Sequence, residues 1–135
     1  MGMKTPDNDA MISIRSCSSN RELKINFADE SCLQIELVGF PVSAQLEVWT
    51  ETDDAIDFQN FLANLGKQNS AWQGKQTWQS LEGDFTLSAS CSALGNVVFD
   101  VELRGLQGST EAWNITAGID YELGRLAQLS LASDS

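Results

Sequence analysis

Apolar residues recur at every second position through most of this chain, and that period decides what it can fold into. Phe85, Leu87, Ala89 and Cys91 alternate with Thr86, Ser88 and Ser90. After Leu94-Gly95-Asn96, Val97, Phe99, Val101 and Leu103 alternate with Val98, Asp100, Glu102 and Arg104. Successive side chains of a strand point to opposite faces, so each run carries one dry face and one wet face. Gly and Asn tolerate the positive φ of a tight turn, so the link between the two runs predicts a hairpin. The same period marks Ile12 and Ile14; Leu23, Ile25 and Phe27; Leu33, Ile35 and Leu37; Ala44, Leu46 and Val48; and Trp113, Ile115, Ala117, Ile119 and Tyr121. Short polar links between these runs favour sequential antiparallel neighbours in a meander.

One segment breaks the period. Ala55, Phe58, Phe61, Leu62 and Leu65 recur at three and four, which is helical spacing. Thr52 or Asp53 can cap the exposed N–H groups, Asp54 and Asp57 suit the positive end of the helix dipole, and Gly66 marks the stop. The helix is expected to lay Phe58, Phe61 and Leu65 across the sheet. Lys67 to Gly74 reads as a polar connection, with a short strand at Thr77-Trp78-Gln79. Leu123, Leu126, Ala127 and Leu131 fit a short closing helix, whereas Leu129 with Leu131 also fits a strand. The expected fold is α+β. It has about seven antiparallel strands in a meander sheet, curled or sandwich-like, covered by one central helix and by a short C-terminal helix if that segment is helical. Residues 11–131 form the single domain, with flexible tails at 1–10 and 132–135.

With 42% hydrophobic residues in 135, the chain can fill one core. No apolar run approaches the ~20 residues of a membrane helix, and the polar start lacks the basic and apolar regions of a secretory signal. The three cysteines, Cys17, Cys32 and Cys91, are widely spaced, and no histidine is available to complete a zinc site. These features predict reduced thiols in a cytoplasmic protein. The net charge of −11 argues against direct contact with nucleic acid or an anionic membrane, and suits a basic partner.

Without histidine, no Ser-His or Cys-His pair can form, and there is no Gly-rich phosphate loop. Glu82 with Asp84, and Asp100 with Glu102, are nominal acid–base pairs, but the first reads as a turn and the second as solvated strand charge. Glu51, Asp53, Asp54 and Asp57 are the densest set of oxygen ligands; helix capping accounts for them without a metal. No enzyme activity, cofactor or metal is expected. The outward strand phases carry Glu36, Glu47, Glu51, Asp100, Glu102 and Asp120, so neighbouring strands would give an acidic wet face fit for a basic partner. Glu36, Glu47, Asp100 and Glu102 are the expected partner-binding residues. Trp49, out of phase with Leu46 and Val48, either packs under the helix or lies exposed as an anchor. Trp72 and Trp78 either pin their loop to the sheet or line a small-ligand pocket between sheet and helix.

Several segments resemble a bacterial family of about this length that has no assigned function: Phe58-Gln59-Asn60-Phe61-Leu62, Trp72 to Asp84, Leu94-Gly95-Asn96-Val97 and Val101-Glu102-Leu103-Arg104. Asn96 stands where members of that family usually carry histidine, so any role of that histidine beyond shaping the turn would be lost here. The layout of a helix, a hairpin and a long strand is also similar, more distantly, to immunity proteins that neutralise Wap-type contact-dependent toxins. That resemblance implies a non-enzymatic cytoplasmic binding protein whose partner is a basic toxin domain encoded nearby.

Overall fold

A computed structural model describes residues 10–129 apart from positions 30, 40, 41 and 51. Of the expected tails at 1–10 and 132–135, all but residue 10 lies outside the described residues, as does Leu131. The alternating runs form strands β1 (Ala10–Arg15), β2 (Glu22–Asp29), β3 (Cys32–Gly39) and β4 (Val42–Trp49). The helix α1 (Thr52–Gly66) follows, then β5 (Trp72–Gln79), β6 (Phe85–Cys91), β7 (Asn96–Gly105) and β8 (Trp113–Glu122). A 3-10 helix, Leu123–Leu129, follows β8.

The meander divides. β1 to β4 pair in order as one four-stranded antiparallel sheet, and β5 to β8 as a second. The structure therefore holds eight strands in two sheets, where the sequence predicts about seven in one. The additional length is in β5. Its sequence is mostly polar, and its register slips against β6 between Trp72 and Gln76, at Gly74 with φ 74°. Two more residues of β5 than of β6 fill that gap; the phase of Trp72, Gln76 and Trp78 survives it, but Gly74 and Gln76 supply no large apolar residue to mark that phase. The break between sheets falls at α1, because a strand leaving a helix is free to start a new ladder.

Both dry faces enter one core. Ile12 and Ile14, Leu23 and Ile25, and Leu33, Ile35 and Leu37 face it from the first sheet, and Phe85, Leu87, Phe99, Val101 and Ile119 from the second. Phe85 and Phe99 are fully buried, and Ile115 is half-buried. The helix turns Phe58, Leu62 and Leu65 inward at intervals of four and three, while Phe61 is half-buried. Phe58 is the hub. Its ring centroid lies 5.8 Å from Phe27 of β2, 4.4 Å from Trp78 of β5 and 5.6 Å from Phe85 of β6. One helical side chain thus touches both sheets. Leu126 and Leu129 of the 3-10 helix are also buried in this core.

The sheets meet along β1 and β8. Beyond the end of β1, the Cys17 N–H donates to the Asp120 carbonyl at 2.9 Å, and Arg21 Nη1 donates to the Gly118 carbonyl at 3.0 Å. Ser18 Oγ donates to Asp120 Oδ2 at 2.6 Å.

The β5–β6 loop is tied by buried polar groups. Ser80 Oγ donates to Asp84 Oδ1 at 2.6 Å and accepts the Phe85 N–H at 3.1 Å. Ser80→Ala removes both bonds and leaves a buried carboxylate short of a donor. A loss of about 1–3 kcal/mol is expected in urea unfolding, with the slope unchanged.

Candidate functional site

Because both dry faces share one core, the two wet faces lie on opposite sides of the protein. This separates the residues that the sequence places on one acidic surface. Glu36 of β3 and Glu47 and Trp49 of β4 share the outer face of the first sheet. Asp100 and Glu102 of β7 lie on the outer face of the second. The alternation fixes inward or outward for each residue, but carries no information about which sheet a strand joins.

The two faces also differ in how their carboxylates are held. On the second sheet, Lys75 Nζ lies 2.9 Å from Asp100 Oδ2, and Arg104 Nη2 lies 3.2 Å from Glu102 Oε2. Asn114 Nδ2 donates to the same Glu102 oxygen at 3.1 Å. These carboxylates already have cationic or amide donors. On the first sheet, Gln45 Nε2 donates to Glu36 Oε2 at 3.4 Å, and Glu47 and Trp49 project to solvent, the indole 54% exposed.

The register builds the first face in rows. Met11, Asn26, Gln34 and Glu47 stand side by side across β1 to β4, and Ser13, Lys24, Glu36 and Gln45 form the next row. All of these residues except Ser13 line a depression of about 490 Å³. Asn26 Oδ1 is buried in it without a partner among the described residues. Toward the β1 end, Glu22 is occupied by Ser13 and by Arg15, 3.7 Å away. Lys24, Asn26, Gln34 and Met11 carry no signal in the sequence that marks them as site residues. Their outward phase was visible, but only the cross-strand register assembles them around Glu36 and Glu47.

At Trp78, aromatic rings fill the space between sheet and helix where the sequence places the alternative small-ligand pocket. Trp78 is 9% exposed and packed on Phe58 and Phe85. Trp72 is half-buried and donates its indole N–H to the Ala89 carbonyl at 3.2 Å. A depression of about 420 Å³ beside Trp72 is bordered by Lys75, Ser90, Asn96 and Val98.

Asp53 and Asp54 occupy the first turn of α1, as expected for dipole and capping roles, and Asp54 Oδ2 accepts the Leu81 N–H at 3.1 Å. Glu51 lies outside the described residues. Among the described residues, no group of three or more His, Cys, Asp or Glu is placed to hold a metal ion. Asn96 sits in the β6–β7 turn, where its N–H donates to Ser92 Oγ at 3.3 Å and its carbonyl accepts the Ser92 N–H at 3.0 Å. Its backbone therefore shapes that turn.

Burial pushes the Cys91 thiol above its ordinary 9.0. It also pushes Tyr121 above 10.0, and the Arg125 guanidinium, 5.3 Å from the ring centroid, offsets part of that rise. Both groups keep their protons in the folded chain at pH values where the unfolded chain has lost them. Their contribution to stability is complete below pH 9.0 and shrinks as pH rises through 9.0 and then 10.0. The urea midpoint is accordingly expected to fall on the alkaline side, and to fall less steeply in Cys91→Val between those two values.

The fold and its exposed rows define a two-sheet antiparallel β protein, closed by an aromatic helix and presenting one open polar sheet face. The chain belongs to the family of unknown function DUF6228, whose sequence pattern matches residues 8–134. No curated protein and no solved structure matches it. Among the described residues, no helix is long and apolar enough to cross a membrane.

Proposed function

We propose that this chain is a non-enzymatic protein-binding domain that docks a basic partner on the outer face of its first sheet, around Glu36, Glu47 and Trp49. The observation that carries this reading is the exposed Trp49, two residues along β4 from Glu47 on the same face, with Glu47 itself lining the 490 Å³ depression. A large aromatic ring left in water on a strand face costs solvation in the free protein and anchors a partner in the bound one. The net charge of −11 draws a cationic partner in at long range. Asp100 and Glu102 add to that field, but their local bonds to Lys75 and Arg104 would have to break before they could take new partners.

The partner class is a basic toxin domain encoded nearby, and the role is that of an immunity protein in the bacterial cytoplasm. Support for this part of the reading is the resemblance in layout to Wap-type immunity proteins together with the charge. The test is binding of the neighbouring toxin domain to the full chain by calorimetry. Charge reversal at Glu36 and Glu47 is expected to weaken the complex by about tenfold or more, and reversal at Asp100 and Glu102 by about threefold or less. The opposite order would move the site to the second sheet. Absence of any complex would remove the reading.

A further inference from the structure

The two sheets have four edges, and three of them are closed or blunted. β1 and β8 lie against each other at the seam between the sheets, where the β1–β2 link bonds β8 through Cys17 to Asp120 and Arg21 to Gly118. β5 is broken by its register slip, with Gly74 and Lys75 at the break. Bulges and edge lysines are devices that keep a sheet from accepting another strand. β4 has none of them. Its eight residues, Val42–Trp49, contain no Pro, Gly or Lys. They pair with β3 without a slip from Gly39↔Val42 to Cys32↔Trp49.

The ladder shows which backbone groups β4 leaves open. The Thr50 N–H donates to the Ser31 carbonyl at 2.8 Å, one step beyond Cys32↔Trp49 in the same register. In an antiparallel pair, alternate residues exchange both bonds with the partner, and the residues between them point N–H and C=O away. Val48, Leu46 and Ala44 therefore bond β3, while Trp49, Glu47, Gln45 and Ser43 present their backbone groups to the outside. Among the described residues, no backbone partner outside β3 bonds these four.

We infer that β4 receives an extended cationic segment of the partner protein as an added strand. This rests on the docking reading above and names how the partner engages. Side chains of the added strand would alternate as those of β4 do. One set would lie over the half-buried Ala44 and Leu46, which favours apolar residues. The other would lie beside Gln45, Glu47 and Trp49, which favours Lys or Arg: Glu47 supplies the opposite charge, and the Trp49 ring a face for the cation. A second copy of this chain is the rival occupant. It would bring another −11 body to the same edge, whereas a cationic strand gains from that field. Main-chain bonds give such a mode its affinity, and the alternating side chains give it specificity.

The experiment is amide hydrogen exchange by NMR on the full chain, with a heptapeptide alternating lysine and valine and a second alternating glutamate and valine. The lysine peptide is expected to slow exchange at the amides of Ser43, Gln45, Glu47 and Trp49 by about tenfold or more, and to leave Ala44, Leu46 and Val48 unchanged. The glutamate peptide is expected to do neither. Gln45→Pro removes one outward N–H at an edge, where proline is tolerated, and should weaken the lysine peptide by about tenfold with little change in thermal midpoint. Equal protection by both peptides would overturn the charge argument. Protection that appears without peptide and grows with protein concentration would make a second copy the occupant. No binding of either peptide, or binding of the lysine peptide without the alternating pattern, would overturn strand addition. Face docking would then still be decided by the Glu36 and Glu47 reversals.

Discussion

Phe58→Ala is expected to remove about 3–5 kcal/mol of folding free energy. That is a large share of the ~5–15 kcal/mol typical of a domain. Phe58 is fully buried, and its ring touches Phe27, Trp78 and Phe85, so deletion opens a cavity bordered by both sheets and the helix. The surrounding rings come from three different elements and cannot collapse into the gap together. Urea unfolding followed by tryptophan emission checks this twice: the midpoint should drop, and the emission of the native state should shift to the red as Trp78 meets water. Phe61→Ala is the internal comparison. Phe61 stacks on Phe58 at 6.4 Å but is half-buried, so a loss of about 1–2 kcal/mol is expected. Equal losses at the two positions would mean that Phe58 does not join the sheets.

Gly39→Ala is expected to cost about 2–4 kcal/mol, through two separate effects. Gly39 has φ 126°, a region that L side chains rarely adopt. A Cβ there would also lie 2.5 Å from the Arg21 Cα and 2.8 Å from both the Arg21 N and the Asn20 O. All three are backbone atoms, so no side-chain rotation relieves the clash, and the β1–β2 link must move. Gly74→Ala separates the effects. Gly74 has φ 74° with nothing within 4 Å of a Cβ, so only the conformational cost of about 1 kcal/mol is expected. If Gly39→Ala costs no more than Gly74→Ala, the close approach of the Gly39 and Arg21 backbones does not matter.

Much of the fold could be read from single residues. Phe85, Leu87, Phe99 and Val101 announce their burial by strict alternation, and Phe58, Leu62 and Leu65 by helical spacing. The full length of β5 could not be read that way, because the positions between Trp72 and Trp78 in their phase are Gly74 and Gln76, neither of them a large apolar residue, and its edge position leaves most of its side chains wet. The split into two sheets was hidden for a different reason: pairing is a relation between distant segments, and alternation is local to one. The candidate site shares that limit. Glu36, Glu47, Asp100 and Glu102 were all correctly outward, yet only the ladder separates the first two from the last two. Trp49 had two sequence readings, and the register decides for exposure by placing it on the Glu47 face. The open edge of β4 is visible only once the other three edges are seen to be closed or broken.

The central claim is that binding belongs to the outer face and edge of the first sheet. The most direct measurement is chemical-shift mapping of the isotope-labelled full chain against an unlabelled basic domain of the kind proposed as its partner. The changes are expected to gather on β3 and β4, at Glu36, Gln45, Glu47 and the Trp49 indole N–H, while Asp100 and Glu102 stay still. Shifts centred instead on Asp100, Glu102 and their partners Lys75 and Arg104 would contradict it.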